Sequence, residues 1–308
     1  MQILFIFLKS LFLILFLILI IFIIFYLERK FLRWFGKEKG SEKKEILEIF
    51  QVISDFLKLL FKKEIFPEKR DKVLYLFAPL ISIIFSFTPF ALIPIGKKPL
   101  IQDMNISLLF VILILSLSIY GIIFAGISSG SKYALIGSLR ASLNFLTLQI
   151  PLILSIIGII IQAESFSLRE ILEKQKVPYI FPQFLGFLVF FISSLAYLKR
   201  TPFDFSVAEF EIAGGYKAEY SGTKYAFFLL SEYAEILFIS SLITILYLGK
   251  NNFFSFLLKT FMIIFIFFWI RASLPRIKFE HFIKFSWKYL IPLSFLNLII
   301  VSIFKTIK

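Results

Sequence analysis

Long runs of apolar residues, separated by short polar stretches, make up most of the chain. An apolar run of about 20 residues crosses the hydrocarbon layer of a membrane as a helix, because a helix satisfies its own backbone hydrogen bonds. The pattern predicts an all-α integral membrane protein, a bundle of about eight transmembrane helices in a single membrane domain over residues 1–308. The predicted spans are residues 3–26, 74–95, 106–128, 143–163, 179–198, 226–248, 252–271 and 285–304.

The connections between the predicted spans differ in positive charge. Those after the first, third, fifth and seventh spans contain 23 Lys and Arg residues, whereas those after the second, fourth and sixth contain 6. Because Lys and Arg concentrate on the cytoplasmic side, the odd-numbered connections are predicted to be cytoplasmic and both termini to lie outside the cytoplasm. The first run is longer than the roughly 7–15 apolar residues of a signal peptide, so we expect it to be retained.

The first long connection contains a second helical pattern. In residues 42–61, apolar side chains recur at helical spacing, and most charged ones lie on the other faces. The apolar positions are Ile46, Ile49, Phe50, Ile53, Leu57 and Leu60. This spacing predicts an amphipathic helix that lies along the membrane surface or against a partner, or one that packs on the bundle.

Composition narrows the chemistry that the chain can perform. It has 59% hydrophobic residues, a mean hydropathy of +0.90 and a net charge of +14. The basic connections of a membrane protein explain that charge without nucleic-acid binding. With no cysteine and a single histidine, His281, we predict no disulfide, no haem, no metal site and no catalytic residue in this chain. In a redox complex, partners would carry the cofactors.

A group of carboxylates interrupts the apolar sequence in RTPFDFSVAEFEIAGGYKAEYSG, residues 200–222. Its acidic residues are Asp204, Glu209, Glu211 and Glu219. Residues 206–211 are predicted to run helically, and Gly214 and Gly215 to break that helix and turn the chain back. The pattern by itself predicts an ordered acidic loop and nothing more specific.

Two further acids, Glu232 and Glu235, lie within the sixth predicted span. Carboxylates at membrane depth are costly and usually face a polar cavity. Three residues apart on a helix, they share one face, and their repulsion would favour keeping a proton on one of them, as in a proton relay. The alternative is that they lie shallow enough to be solvated or pair with Lys224.

The ends of the first and seventh spans combine charges with aromatic residues. They read YLERKFLRWF and WIRASLPR. Glu28 and Arg29 fit a simple membrane anchor, and Arg271 and Arg276 are either anchors or residues of a polar cavity, which periodicity does not separate.

The stretch GISSGSK, residues 126–132, has a superficial likeness to a phosphate-binding loop. Its lysine is one position late, and it leaves a span instead of a strand. We interpret Gly126 and Gly130 as a GxxxG pattern that lets two helices approach closely.

Four stretches resemble one family, in the same order along nearly the whole chain. They are GSKYALIGSLRAS (130–142), RTPFDFSVAEFEIAGGYKAEYSG (200–222), SEYAEI (231–236) and IRASLPRIKFEHFIKFSWKYLIPLSFLNL (270–298). These stretches resemble the H subunit of NADH-quinone oxidoreductase, respiratory complex I. The resemblance implies a non-redox component on the membrane side of a quinone-binding cavity, with a quinone such as ubiquinone as substrate and with iron–sulfur clusters and flavin on partner subunits.

The same resemblance assigns roles to individual residues. Those expected to line the quinone cavity are Arg29, Asp55, Arg200, Arg271 and Arg276. Those expected in the coupling loop and proton relay are Asp204, Glu209, Glu211, Glu219, Glu232 and Glu235. The implied partners are the hydrophilic quinone-module subunits and the antiporter-like membrane subunits of a proton-translocating enzyme in the cell inner membrane.

The chain departs from the family at three positions within the spans. The family commonly has glutamates where this chain has Ser116, Gln149 and Tyr197. Either the relay runs through other groups, such as Glu235, Tyr197 and water, or proton coupling is altered. Two alternatives stay open: the homologous membrane anchor of a hydrogenase- or ferredoxin-linked complex, and a stand-alone ion-coupled transporter, against which the lack of internal repeats counts.

Overall fold

A computed structural model describes residues 2–36, 45–64, 66–68, 70–95, 98–99, 104–205, 214–249 and 252–306, and most of them are helical. The helices are α1 Gln2–Gly36, α2 Glu45–Phe61, α3 Lys72–Phe87, α4 Ser107–Ser128, α5 Lys132–Ala163, α6 Leu168–Lys174, α7 Phe184–Tyr197, α8 Gly222–Tyr247, α9 Phe253–Ser273 and α10 Phe279–Thr306. Within α10, Ser286–Leu290 forms a π-helical turn. Further short elements are 3₁₀ turns at Thr88–Leu92 and Gly215–Lys217 and the antiparallel strands Pro94–Ile95 and Lys98–Pro99.

Within the described residues, seven helices are long and apolar enough to cross a membrane: α1, α3 with the 3₁₀ turn that follows it, α4, α5, α8, α9 and α10. The chain is an all-α, multi-pass membrane protein, as the apolar runs predict. The fifth predicted span, residues 179–198, differs because its helix α7 has 14 residues. That helix is about 21 Å long, shorter than the roughly 30 Å hydrocarbon layer.

The backbone of residues 179–183, before α7, is irregular. Polar groups of this backbone make hydrogen bonds to other parts of the protein. The Ile180 N–H donates to the Tyr247 carbonyl at 3.0 Å, and the Gly186 N–H in the first turn of α7 donates to Asn297 Oδ1 at 3.1 Å. Each backbone group left unpaired in hydrocarbon costs several kcal/mol, so irregular backbone is tolerated only where the protein covers it. These bonds allow the fifth span to be apolar without being fully helical.

Helix α8 lies at the centre of the bundle. Of its most apolar 18-residue segment 89% is buried, against 17% for α1. It packs against α1, α3 and α9, and its fully buried side chains include Phe228, Phe238 and Tyr247. A helix that is buried on all sides exposes its polar groups to neither lipid headgroups nor bulk water. Any charge on α8 therefore requires a partner from another element.

Close packing of α4 on α5 depends on Gly126. A Cβ added there would collide with the Ser138 side chain of α5, which confirms the predicted close approach at this glycine. Gly130 has a different role, because it adopts a left-handed φ of +66° in the turn between the two helices. Glycine alone takes that conformation without strain.

The amphipathic pattern of the first long connection forms α2. Val52 is 3% exposed, and Phe56 meets Phe22 of α1 edge to face with ring centroids 5.0 Å apart. Phe50 and Leu57, both in the predicted apolar face, are exposed, and the side chains of residues 45–49 lie outside the described part of the chain. Helix α2 therefore packs on the bundle through one face and leaves a second apolar face for lipid or a partner.

Charged side chains gather at the end of the bundle where α1, α4, α7 and α9 finish. We call this end the basic end. Its charged residues include Arg29, Arg200, Lys217, Arg271 and Arg276.

Candidate functional site

Five charged side chains meet at the basic end and form what we call the ionic cluster. The members are Glu28 of α1, Arg200 and Lys217 of the connection between α7 and α8, Glu232 of α8 and Arg271 of α9. Arg271 contacts the Glu28 carboxylate, and Arg200 Nη1 lies 3.7 Å from Glu28 Oε1. Lys217 contacts Glu232, and Arg200 Nη2 lies 3.9 Å from Glu232 Oε2. Arg200 is thus placed between acids of two different helices.

The ionic cluster is shielded from solvent. Glu28 is 2% exposed, Lys217 8% and Glu232 9%. The Tyr216 hydroxyl donates to Glu232 Oε1 at 2.9 Å, and the Arg200 guanidinium lies 4.9 Å from the Tyr233 ring centroid. Removing a charge from water costs several kcal/mol unless it is paired. That cost explains why each acid of the cluster meets more than one cation.

Glu235 lies about one turn beyond Glu232 on α8 and is paired separately. Lys199 Nζ lies 3.4 Å from Glu235 Oε2, and both side chains are less than 10% exposed. Glu232 follows the start of α8 by ten residues, about 15 Å along the helix. Lys224 contacts Glu64 instead, so the alternative of shallow acids paired with Lys224 is wrong. A separate cation for each acid offsets the repulsion that the sequence predicts.

The residues predicted to line a quinone cavity divide into several groups. Arg200 and Arg271 belong to the ionic cluster. Arg29 points to α2 and pairs with Asp55 at 2.9 Å, in a partly exposed position. Arg276 pairs with Asp204.

Aromatic rings connect two of these groups. The Arg29 guanidinium lies 4.3 Å from the Phe25 ring centroid, and Phe25 meets Tyr233 edge to face at 5.0 Å. Tyr233 in turn contacts Arg200. Cation–π contacts of this kind contribute about 0.5–2 kcal/mol each and fix the position of a guanidinium group.

Two of the four predicted coupling-loop acids, Asp204 and Glu219, are described. Arg276 Nη2 lies 3.4 Å from Asp204 Oδ2. The Tyr75 hydroxyl donates to the Glu219 backbone carbonyl at 2.8 Å, which ties the end of the loop to α3. Glu209, Glu211 and the helix predicted over residues 206–211 lie outside the described residues.

The glycine pair turns the chain back, as its sequence predicts. Gly214 and Gly215 have φ of +91° and +61°, which glycine adopts without strain. The 3₁₀ turn Gly215–Lys217 follows directly and carries Tyr216 and Lys217 to the Glu232 carboxylate. The turn therefore delivers the cation that pairs with an acid inside the bundle.

Burial shifts the protonation of two groups of this connection in opposite directions. Burial raises the pKa of Asp204, although the positive charge of Arg276 opposes the shift. Burial lowers the pKa of Lys217, although the Glu232 carboxylate opposes it. The two shifts bring the pKa of an acid and the pKa of an amine in this connection closer together than they are in water.

Some hydrogen-bonding capacity of the site is unused within the described part of the chain. Arg200 Nε and Nη2, Asp204 Oδ1 and both Glu28 oxygens are buried without a hydrogen bond of regular geometry. Buried polar groups in proteins are nearly always bonded to protein, water or ligand. The ionic cluster is therefore suited to bind water or a small polar group.

Two largely apolar crevices lie between α1 and α9. One has a volume of about 330 Å³ and is lined by Leu27, Lys30, Phe31 and Trp34 of α1, which neighbour Glu28 in sequence, but by no member of the ionic cluster. The other, of about 470 Å³, follows α1 from Lys9 to Ile20 and also touches α8. Volumes of this size accommodate small-molecule ligands, so either crevice can take a lipophilic molecule from the bilayer.

The three positions that depart from the family make neutral polar contacts. Gln149 Nε2 donates to Ser116 Oγ, and the hydroxyls of Tyr197 and Ser118 share a hydrogen bond of 2.8 Å. Ser116, Gln149 and Tyr197 line a cavity of about 10 Å³, space for about one water molecule. Its described lining contains no carboxylate, so a proton that passes here would use hydroxyls, an amide or water.

Sequence reasoning missed several residues of the site. Glu28 looked like part of an anchor, although an acid that directly follows an apolar run of span length is a usable signal. Lys199 and Lys217 counted only as loop charges in the assignment of orientation. Their pairing with Glu235 and Glu232 depends on how the connection folds back, which no local spacing reveals.

The fold and the ionic cluster together define a multi-pass α-helical membrane protein with a buried charged site at one end of its bundle. A family model described as NADH dehydrogenase matches residues 8–302, and the chain belongs to that family. The H subunit of NADH-quinone oxidoreductase from Dehalococcoides mccartyi is 38% identical over 283 residues, which cover 90% of this chain and 80% of the relative. The protein of the same name from Brevibacillus brevis is 37% identical over 290 residues, covering 90% and 86%. These comparisons confirm the family indicated by the four sequence stretches.

Proposed function

We propose that this chain is the non-redox membrane subunit of an NADH:quinone oxidoreductase, that it forms the membrane side of the quinone-binding cavity, and that it couples quinone reduction to proton translocation. The observation that carries the proposal is the buried ionic cluster, with donors on Arg200 that make no hydrogen bond of regular geometry, together with a largely apolar crevice between α1 and α9. The names of the relatives favour this function over a hydrogenase- or ferredoxin-linked anchor and over a stand-alone transporter.

The chemistry of a quinone suits this site. Its headgroup carries carbonyl oxygens that accept hydrogen bonds, and its tail is apolar. Arg200 Nε and Nη2 are buried donors that make no hydrogen bond of regular geometry among the described residues, and Nη2 is held by Glu232 at 3.9 Å. The crevice of about 330 Å³ between α1 and α9, whose lining includes Leu27 and Lys30 on either side of Glu28 in sequence, offers a largely apolar surface for the tail. The headgroup would therefore bind near Arg200 while the tail follows the crevice toward lipid.

Coupling would begin with the charge that reduction adds. Two electrons placed on a quinone leave negative charge on its oxygens until two protons bind, and that charge attracts Arg200. Because Arg200 lies 3.7 and 3.9 Å from Glu28 and Glu232, a displacement away from the two acids weakens its interaction with both. Asp204, whose pKa burial already raises, is placed to take up a proton when negative charge arrives nearby.

The onward relay would run along α8 from Glu232 to Glu235, and then to Tyr197. Beyond Glu235 the groups at the three departing positions are neutral, and the water-sized cavity lies between them. A relay through Tyr197 and water predicts an ordinary proton-to-electron stoichiometry, whereas altered coupling predicts a lower one. Measuring that ratio in the purified complex decides between these alternatives.

The proposed assembly places redox cofactors on other subunits. Flavin and iron–sulfur clusters would be bound by partners, hydrophilic quinone-module subunits would cover the basic end, and antiporter-like subunits would adjoin the bundle within the bilayer. The asymmetry of Lys and Arg favours a basic end that faces the cytoplasm and termini outside it, in the cell inner membrane.

Substitution of Arg200 tests the quinone site. In the assembled complex, Arg200→Gln should lower NADH:quinone activity about 10- to 100-fold, because hydrogen bonds to charged groups contribute about 1.5–3 kcal/mol. NADH oxidation by an artificial acceptor should be unchanged. Arg200→Lys keeps the positive charge and loses the planar guanidinium group. Its NADH:quinone activity should lie between those of wild type and Arg200→Gln.

A matched control for this test is Arg169→Gln. Arg169 pairs with Glu173 on the exposed surface of α6, at the opposite end of the bundle. Full quinone activity in the Arg200→Gln complex, with normal subunit content, would contradict the proposed site.

A further inference from the structure

A third apolar cavity lies at the basic end, on another side of α9. It has a volume of about 460 Å³ and is formed by α7, α9, the start of α10 and the turn after α7. Its lining includes Ile192, Leu195, Pro202, Ile270, Leu274 and Phe282. No member of the ionic cluster lines it, and His281 is the polar residue of its described lining. The cavity therefore offers an apolar ligand space but little to hold a quinone headgroup.

Cations lie along the helix that forms one wall of this cavity. Lys284 and Lys288 of α10 are both exposed and flank Phe285, which lines the cavity. Lys278, just before α10, is exposed as well, and Glu280 is the acid of this segment. Three lysines against one acid leave a net positive rim.

The depth of Lys288 in the membrane is informative. It lies inside the predicted span 285–304, about 4.5 Å along the helix from the start of that span. A cation at this depth is costly unless it reaches the headgroup region or meets an anion. Trp287 and Tyr289 are exposed beside it, and such aromatic residues prefer the level of the lipid headgroups. The rim of the cavity is thus at the height of lipid phosphates.

We propose that this cavity binds one anionic phospholipid, with an acyl chain in the apolar cavity and its phosphate at Lys284 and Lys288. Lipid tails gain little from leaving one apolar environment for another, so selectivity comes from the headgroup. Basic pockets between transmembrane helices on the cytoplasmic side attract anionic headgroups, each Lys contributing about fivefold in affinity, or about 1 kcal/mol. The bound acyl chain would also contact Pro202, in the turn that carries Arg200 and Asp204.

The test uses the intact complex, purified in mild detergent and exchanged into phosphatidylethanolamine with a small fraction of phosphatidylglycerol. Retained phosphatidylglycerol per complex is counted by native mass spectrometry after washing. The double variant Lys284→Gln with Lys288→Gln should bind one phosphatidylglycerol fewer, with affinity for that molecule reduced about 30-fold. Leu274→Trp, which places a larger side chain at an exposed position in the cavity wall, should lose the same molecule.

The matched control is Lys72→Gln with Lys132→Gln. These lysines are exposed at the same end of the bundle and do not border the cavity. The control should keep the full complement of phosphatidylglycerol, and every variant is first checked for unchanged subunit content. Equal retention of phosphatidylglycerol in all variants would overturn the proposal. So would a wild-type complex in which phosphatidylethanolamine takes the place of the phosphatidylglycerol that the double variant is expected to lose. A partner helix found in the cavity in a structure of the complex would overturn it as well.

Discussion

Removing the cation that holds Glu232 should destabilise the protein strongly. Lys217 is 8% exposed and contacts the Glu232 carboxylate, which is itself 9% exposed. In Lys217→Met, an apolar side chain of similar length replaces the ammonium group, and the contacts that the acid keeps among the described residues are the Tyr216 hydroxyl and the more distant Arg200. The variant thus leaves a buried carboxylate with weaker compensation.

The size of the effect follows from the burial of the pair. Breaking a buried ion pair by removing one partner costs about 3–5 kcal/mol, and exposure below 10% leaves little screening by solvent. Because Tyr216 and Arg200 stay in place, we expect the lower end of that range, about 3 kcal/mol. For a domain of roughly 150–250 residues or more, this corresponds to a Tm lowered by about 6–12 °C.

The measurement is thermal denaturation of the purified complex, followed through the loss of this chain from the assembly. The control Lys132→Met changes an exposed lysine at the same end and should stay within about 0.5 kcal/mol of wild type. Adding Glu232→Leu to Lys217→Met should restore part of the stability, since the carboxylate that lost its nearest cation is gone while Arg200 keeps Glu28 as a partner. A Lys217→Met complex as stable as wild type, or a double variant less stable than the single one, would refute the reasoning.

Three further predictions concern other parts of the molecule. In Gly126→Val, the new side chain should clash with Ser138 and push α4 away from α5, which lowers the free energy of unfolding by about 1–3 kcal/mol. Thermal denaturation measures the loss, and an unchanged Tm would show that the helices can move apart freely. Glu235→Ala should lower the number of protons pumped per NADH while quinone reduction continues, and a normal ratio in vesicles would reject its relay role. Burial raises the pKa of Asp204, so the stability that its proton supplies is present at low pH and lost as pH rises through the folded pKa. Asparagine is uncharged at every pH, so the Tm of Asp204→Asn minus the Tm of wild type should increase as pH rises from 4 to 7. A difference that decreases over that range would contradict the raised pKa of Asp204.

One connection supplies four of the charges at the site. The stretch between α7 and α8 contributes Lys199, Arg200, Asp204 and Lys217, and it pairs them with acids and bases of α1, α8 and the link before α10. A sensor of charge at this site can therefore act on several helices through a single loop. That arrangement gives Asp204, Gly214 and Gly215 a structural reason to be there.

Much of the architecture could be predicted because the membrane imposes it locally. A run such as residues 106–128 must be helical wherever it crosses hydrocarbon, and α4 ends at Ser128 as expected. The fifth span shows the limit of this reasoning. Hydropathy detects that residues 179–198 are apolar. It does not detect that backbone N–H groups of this segment donate to Asn297 and to the Tyr247 carbonyl, more than 60 positions away, and not to carbonyls of a helix.

The sequence by itself determined the membrane class, the positions of the apolar runs, the family and the concentration of charge in one connection. All of these depend on residue type and short-range order along the chain. Only the tertiary structure decided that Glu28 and Arg271, 243 positions apart, are partners, and that Arg29 turns away to Asp55. Which charges meet in an apolar interior depends on the depth and rotation of whole helices. Packing against α8 sets that depth and rotation, so no local pattern in the sequence predicts these ion pairs.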